Sequence, residues 1–201
     1  HAVELDRRLA GYLRETLQPR FPEALHLLEA DAVEHPRGSL PASVESFKVV
    51  ANLPYAITTP WIERMLADPL PRTLVLMMQK EAADRLTASP GSKAFGAVTI
   101  FLSAAYQQAG LHRVSRSCFH PVPGVDSQLL HLERRPTPFL FSVPARAAIR
   151  GLFTQRRKQI GHLLQGDAPL QPWLEILPRF NCSRTSRPED IPLEVWLEFP
   201  I

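Results

Sequence analysis

The sequence predicts an α/β fold, in which a doubly wound, mostly parallel sheet is followed by a small all-helical unit. Short apolar runs alternate with segments of helical periodicity up to about residue 135, as is typical of βαβ units. Polar residues stand at the carboxyl ends of several of these runs, where such sheets bind ligands. After a proline-rich stretch, helical spacing alone remains.

The elements of the sheet follow in chain order. Asp6 is expected to cap the first helix, which places Leu9, Leu13 and Leu17 on one face. Thr59 is expected to cap the helix after the third strand, with Pro60 at its first position. We predict strands at 1–5, 24–28, 47–51 and 73–78, a final strand pair at 113–119 and 127–133, and helices at 6–17, 59–67, 80–88 and 95–106.

The C-terminal part has a different texture. Pro136, Pro138 and Pro144 form a linker, and residues 145–164 carry apolar side chains at helical spacing. We therefore predict two domains, residues 1–137 and residues 138–201. Basic clusters of the kind found at 156–158 suit a polyanion, although a solvated surface is the alternative.

Composition narrows the classes of protein. The 201 residues are 45% hydrophobic, which is enough for a substantial core. No apolar run reaches about 18 residues, so we expect no membrane span, and no leader segment is apparent. Cys118 and Cys182 form no CxxC pair, which argues against a disulfide framework and a zinc site. We expect a cytoplasmic protein without a metal.

The chain opens directly on Ala2-Val3-Glu4-Leu5, a strand already under way. We therefore expect that an N-terminal segment is missing. No glycine-rich loop follows any predicted strand, so the expected place for such a loop is before His1.

Asn52-Leu53-Pro54-Tyr55 is the most distinctive segment, because it follows the third strand directly. The Asn52 amide oxygen and the Leu53 carbonyl could accept both hydrogens of an exocyclic amine on a flat base. Pro54 would stiffen the turn, and Tyr55 offers a stacking face. An ordinary strand-exit turn with Tyr55 in the core is the alternative.

Three further residues are candidates for binding a nucleotide or a base. Glu4 and Asp31 follow the first two strands, where a carboxylate could bind ribose hydroxyls or an adenine amino group, or could simply cap a turn. Because Glu4, Asp31 and Asn52 come at successive strand ends, we expect them to face one crevice. Phe119 opens a proline-stiffened segment and could stack on a flipped base, or be buried in a hairpin.

Five motifs occur in order and together carry a family resemblance. They closely resemble the KsgA-type small-subunit ribosomal RNA adenine dimethyltransferases, over essentially the whole chain. The motifs are Asn52-Leu53-Pro54-Tyr55, Gln79-Lys80-Glu81-Ala82-Ala83-Asp84-Arg85-Leu86, Phe119-His120-Pro121-Val122-Pro123-Gly124-Val125-Asp126-Ser127, Phe153-Thr154-Gln155-Arg156-Arg157-Lys158 and Arg187-Pro188-Glu189-Asp190.

The resemblance implies a Rossmann-like methyltransferase sheet that uses S-adenosylmethionine, and a C-terminal helical domain that helps bind RNA. The implied substrate is two adjacent adenines near the 3′ end of the small-subunit RNA, each dimethylated at N6 during ribosome assembly. The implied partner is the small ribosomal subunit, and we expect a monomer.

The resemblance also implies a role for each candidate residue. Leu53 and Pro54 belong to the catalytic loop with Asn52. In this assignment Glu4 holds the cofactor ribose, Asp31 the cofactor adenine, Asn52 bridges cofactor and target amine, Tyr55 and Phe119 sandwich the adenine, and Arg156, Arg157 and Lys158 contact phosphates.

Departures from the family pattern leave alternatives open. The glycine-rich loop is absent, which puts the activity of these 201 residues in question and predicts weakened S-adenosylmethionine binding. Gly124 stands where many relatives carry Lys, and Thr154 where many carry Asn. The alternatives are a large-subunit methyltransferase of the macrolide-resistance type and a non-catalytic RNA-binding assembly factor. The segments 155–158 and 187–190 favour the small-subunit group.

Overall fold

A computed structural model describes residues 1–200, apart from the side chain of Tyr55. Ile201, the last residue of the predicted second domain, lies outside the described residues. The strands are β1 (Ala2–Glu4), β2 (Leu27–Glu29), β3 (Lys48–Asn52), β4 (Thr73–Gln79), β5 (Tyr106–Val114) and β6 (Ser127–Arg134). The helices are α1 (Arg7–Thr16), α2 (Thr58–Met65), α3 (Lys80–Leu86), α4 (Ala97–Ala105), α5 (Val143–Thr154), α6 (Ile160–Leu163), α7 (Gln171–Leu174) and α8 (Leu193–Leu197).

The strands form two sheets within the described residues. One contains β1 and β2, and the other has the order β3-β4-β6-β5. β1/β2 and β3/β4 are parallel, whereas β4/β6 and β5/β6 are antiparallel. The prediction of one mostly parallel sheet is corrected to a mixed arrangement, because β6 returns beside β4 in the opposite direction, with β5 paired along its outer edge.

The first helix begins where the sequence predicts. The Asp6 carboxylate accepts hydrogen bonds from the N–H groups of Arg8 (2.8 Å) and Leu9 (3.1 Å), as an N-cap does. The predicted apolar face is not in the core, however: Leu9 is 53% exposed, and Ala10 is the buried residue of α1.

The second helix begins one residue earlier than predicted. A 3-10 turn at Tyr55–Ile57 leads into α2, so Thr59 lies inside the helix and Ile57 occupies the N-cap position. The Thr58 hydroxyl donates to the Pro54 carbonyl (3.2 Å), which closes this entry.

The strand predicted at 113–119 is wrong in its bounds. β5 begins directly after α4, since Tyr106 buries its ring and donates its hydroxyl to the Pro71 carbonyl (2.9 Å). Residues Arg116–Cys118 form a 3-10 turn, capped by the Ser115 side chain. The residues after Val114 therefore form a loop rather than a strand.

The segment 145–164, which has apolar side chains at helical spacing, forms two helices. α5 ends at Thr154 and α6 starts at Ile160, because the N–H groups of Ile160 and Gly161 pair with the carbonyls of Ser186 (2.8 Å) and Arg184 (2.9 Å). Arg156, Arg157 and Lys158, which we call the basic trio, lie in the turn between α5 and α6.

The hydrophobic core sits around α4, as predicted for the apolar stretch 95–106. Ile100, Phe101 and Leu102 are at most 2% exposed. The buried cluster continues from β4 through α4 to the C-terminal Trp173 and Trp196, whose rings lie 5.1 Å apart. The C-terminal helices α5 and α8 thus pack against α4, and the boundary at residue 137 stays a prediction.

Candidate active site

The Asn52 loop lies at the carboxyl end of β3. Asn52 is the last strand residue, stands opposite Met77 in β4 and is exposed. Leu53 is buried, and its N–H donates to the Met77 carbonyl (2.9 Å). Exposed Pro54 accepts from Ile57 N–H (3.1 Å). The loop is therefore held by β4 on one side and by the entry to α2 on the other.

Tyr55 opens the 3-10 turn that follows this loop. Its side chain lies outside the described part of the structure, so its predicted stacking role stays a prediction.

Glu4 and Asp31 lie at the carboxyl end of the β1/β2 sheet. The Glu4 carbonyl accepts from Ala30 N–H (3.1 Å), which places Asp31 one residue beyond that bond. One oxygen of each carboxylate is engaged locally, Glu4 Oε1 by Asp6 N–H (2.8 Å) and Asp31 Oδ1 by Val33 N–H (2.7 Å). The structure brings these two residues together, and the crevice shared with Asn52 stays a prediction.

Phe119 follows the 3-10 turn in the loop between β5 and β6. It is half-buried, and its N–H donates to the Arg116 carbonyl (3.2 Å). Asp126 at the far end of the loop accepts hydrogen bonds from Arg116 N–H and from the Arg113 guanidinium. These two contacts, the backbone bond first, hold the pKa of Asp126 below its ordinary value.

The three residues of the basic trio have different environments. The Arg156 guanidinium pairs with the Glu189 carboxylate and donates to the Ser92 carbonyl (3.4 Å). Arg157 and Lys158 are exposed. Glu189 is 33 residues away from Arg156 in the chain, so the local sequence around Arg156 does not predict this ion pair.

An open groove of about 710 Å³ lies where α2, α3, the start of α4 and α5 meet. A smaller hollow of about 230 Å³ shares Thr59, Glu81 and Arg85 with it and reaches Ala56, four residues after Asn52. The groove therefore extends from the vicinity of the Asn52 loop to Arg156. Its charged lining includes Glu63, Arg85, Lys93, Arg150 and Arg156.

Sequence reasoning missed Arg85 and Lys93 as groove residues. Arg85 stands within the motif 79–86, and its motif membership was the available signal. Lys93 precedes α4 in a short loop with no pattern of its own.

Within residues 1–200, no helix is long and apolar enough to cross a membrane. Nor do His, Cys, Asp and Glu side chains gather there in a group of three or more that could hold a metal ion.

The profile of the family described as "Ribosomal RNA adenine dimethylase" matches residues 1–172. The chain belongs to this family. The resemblance carried by the five motifs is thereby confirmed, and so is the enzyme class that it implies.

Curated relatives agree with the family match. "Ribosomal RNA small subunit methyltransferase A" of Opitutus terrae is 56% identical over 198 residues, which cover 97% of this chain and 72% of that protein. The protein of the same name from Lysinibacillus sphaericus is 36% identical over 96% of this chain and 70% of its own length.

Solved structures confirm the predicted Rossmann-like methyltransferase fold. A dimethyladenosine transferase from Plasmodium falciparum has a TM-score of 0.76 at 23% identity, over 98% of this chain and 78% of that chain. The 23S rRNA methyltransferase ErmE has a TM-score of 0.69 at 26% identity, over 97% and 78%. The first likeness concerns the fold alone.

Proposed function

We propose that this protein dimethylates N6 of two adjacent adenines near the 3′ end of small-subunit ribosomal RNA, with S-adenosylmethionine as the methyl donor. The observation that carries the proposal is the 56% identity to a small-subunit methyltransferase across almost the entire chain. Asn52 is exposed at the end of β3, four residues before Ala56 of the smaller hollow, and would be the reaction site.

The residues at the end of the β1/β2 sheet fit the donor. S-adenosylmethionine supplies an electrophilic methyl group on a sulfonium. Glu4 and Asp31 each keep one carboxylate oxygen without a protein hydrogen bond within residues 1–200. A carboxylate accepts hydrogen bonds from hydroxyl and amino groups, so Glu4 would bind the ribose and Asp31 the adenine.

Asn52 and Leu53 would act on the target amine. The N6 lone pair of adenine is delocalised into the ring, which makes it a poor nucleophile. Hydrogen bonds from both N–H groups to the Asn52 amide oxygen and the Leu53 carbonyl would turn the lone pair toward the methyl group. The hydrogen bond from Leu53 N–H to the Met77 carbonyl holds the Asn52–Leu53 peptide, which precedes the Leu53 carbonyl, in place before the base arrives.

The base would be stacked between Tyr55 and Phe119, because unstacked adenines bind to aromatic faces. Pro54 limits the freedom of the loop that carries Tyr55. No metal is required by this chemistry, since the proton leaves after the charged product amine has formed.

RNA would bind along the groove toward the C-terminal helices. Exposed Arg157 and Lys158 are available for phosphate contacts, and Arg156 holds the turn that presents them through its bond to Glu189. The partner would be the small ribosomal subunit, in the cytoplasm, with the enzyme acting as a monomer.

The experiment uses the full-length protein, labelled S-adenosylmethionine and small subunits that lack the modification. Asn52→Ala is measured beside Lys48→Ala, an exposed control on the same strand. We expect dimethyladenine in the small-subunit RNA, a loss of about 100-fold or more in rate for Asn52→Ala, and full activity for the control.

Other outcomes would contradict the proposal. Label found in large-subunit RNA alone would place the protein with the macrolide-resistance enzymes, whose fold it shares. Tight binding to small subunits without any label would favour the assembly-factor alternative.

A further inference from the structure

The loop that carries Phe119 is held at both ends by one side chain. Asp126 Oδ2 accepts from Arg113 Nε (3.0 Å) and from a second nitrogen of that guanidinium, at the end of β5. Asp126 Oδ1 accepts from Arg116 N–H (3.0 Å), at the start of the 3-10 turn. A single carboxylate thus joins the last residues of the loop to its first ones.

The same residue connects the loop to α3. The Asp126 carbonyl accepts from Lys80 N–H (3.0 Å), and the following residue, Ser127, stands opposite Gln79 in the β4/β6 pair. α3 contributes Glu81 and Arg85 to the groove. Asp126 therefore links the Phe119 loop to the helix that lines the proposed RNA path.

The contacts reach Phe119 through a short chain. Arg116 receives Asp126 at its N–H, and the Arg116 carbonyl in turn accepts from Phe119 N–H (3.2 Å). A residue whose N–H and carbonyl are both hydrogen-bonded has little backbone freedom. The backbone at Phe119 is thus tied to the Asp126 carboxylate through two hydrogen bonds.

The environment favours a local role over a stabilising one. The Asp126 side chain is 20% exposed, whereas that of Arg113 is 73% exposed. Ion pairs with an exposed partner add little to the stability of a fold. The three hydrogen bonds to the Asp126 carboxylate instead fix the position of the loop relative to the end of β5.

We propose that Asp126 is a positioning residue, which holds the Phe119 loop in the orientation that stacks Phe119 on the target adenine. The inference rests on the proposed function for the identity of the base and the role of Phe119. In Asp126→Asn a single amide oxygen remains, which can accept from the Arg113 guanidinium or from Arg116 N–H but not from both, so one end of the loop is released while the sheet remains.

The test compares Asp126→Asn, Phe119→Ala and the double variant with Asp167→Asn, an exposed aspartate on the C-terminal unit. Rates are measured over a range of subunit concentrations to separate kcat from KM. A short RNA with 2-aminopurine at the target position reports stacking through its fluorescence. Thermal unfolding of each variant checks that the fold is kept.

We expect Asp126→Asn to lower kcat/KM about 10- to 100-fold, since small displacements of positioning groups have effects of this size. It should also raise 2-aminopurine fluorescence in the complex. In the Phe119→Ala background the same substitution should add no further loss, because the two residues act as one unit. Asp167→Asn should behave as the unmodified protein.

The results that overturn the inference differ from those that overturn the function. Full activity of Asp126→Asn, or losses that multiply in the double variant, would overturn the inference alone. Full activity of Phe119→Ala would overturn the stacking role and the inference with it. If no variant, nor the unmodified protein, methylates RNA, the fluorescence still decides whether Asp126 orients Phe119.

Discussion

At the scale of single residues, the carboxylates of Asp126 and Glu133 make the stability of the fold depend on pH. Arg116 N–H and the Arg113 guanidinium hold the pKa of Asp126 below its ordinary value. The hydrogen bond with His131, and then that from Thr73, lower the pKa of Glu133 on β6. A depressed pKa in the folded state favours folding above the ordinary carboxyl pKa, and this contribution is lost as the pH falls through the depressed value.

At acid pH, the protein and its Asp126→Asn variant should therefore have the same free energy of unfolding. Because the Arg113 partner is exposed, we expect the variant to have only a slightly lower free energy of unfolding at about pH 6, and the gap to close as the pH falls below about 4. Denaturant titrations at a series of pH values measure both free energies. A gap that is independent of pH would show that the Asp126 charge does not contribute.

Gly161 is required by a close approach of two backbones. A Cβ on this residue would lie 2.8 Å from the Cβ and 2.9 Å from the carbonyl oxygen of Arg184, closer than atoms pack. We expect Gly161→Ala to lower the free energy of unfolding by about 1–3 kcal/mol.

Gly151 within α5 provides the matched control. Nothing lies within 4 Å of a Cβ built there, so Gly151→Ala should raise the free energy of unfolding by about 0.5–1 kcal/mol through helix propensity. Chemical denaturation of both variants measures the two changes. Equal effects of the same sign would contradict the packing explanation.

At the scale of elements, α5 is attached to α2, the helix that follows the Asn52 loop. Arg150 donates to both oxygens of Glu63 on α2, at 3.0 and 2.9 Å, and Arg146 donates to the Glu63 carbonyl (3.4 Å). The Arg150 guanidinium also lies 5.5 Å from the centre of the Phe101 ring. The C-terminal unit is thereby joined to α2 by a two-point ion pair in a partly buried setting.

A double-mutant cycle on Glu63→Gln and Arg150→Met should give a coupling free energy of about 1 kcal/mol. The pair Arg184–Glu175 serves as the comparison, because it has a single short contact and its side chains are 52% and 71% exposed. We expect coupling near zero there. Equal coupling energies in the two cycles would contradict the role assigned to burial and geometry.

The elements that sequence predicted best are those with an unambiguous pattern. β4 and α4 are continuous apolar runs; in the structure α4 is buried along most of its length, whereas β4 alternates buried and half-buried side chains. β5 was placed too late, because its exposed residues from Gln107 onward carry little alternation, and only the contact of Tyr106 with Pro71 shows where it begins. Such long-range contacts leave no local mark in a sequence.

At the scale of the whole molecule, the candidate site also combines features that are visible in the local sequence with features that depend on long-range contacts. Asn52 and Glu4 were found because strand ends are visible in the sequence, and their positions at the ends of β3 and β1 are confirmed. The groove was not found, because it arises where four helices meet. The different environments of Arg156 and its two neighbours arise from Glu189, a residue of another turn.

Salt dependence of RNA binding tests that division of the basic trio. Each phosphate contact releases counterions, so the removal of Arg157 and Lys158 together should weaken binding and reduce the slope of log K against log salt by about 0.7 for each cation. Arg179→Ala, another exposed arginine of the C-terminal unit, should leave the slope unchanged.

Arg156→Ala should act differently, because it leaves the Glu189 carboxylate, 17% exposed, without its partner. We expect a lower unfolding free energy and weaker RNA binding, with a slope closer to that of the unmodified protein than to that of the double variant. Filter binding at several salt concentrations gives the slopes. A change of slope of about 0.7 for Arg156→Ala, with unaltered stability, would make Arg156 a phosphate contact instead of the support for its neighbours.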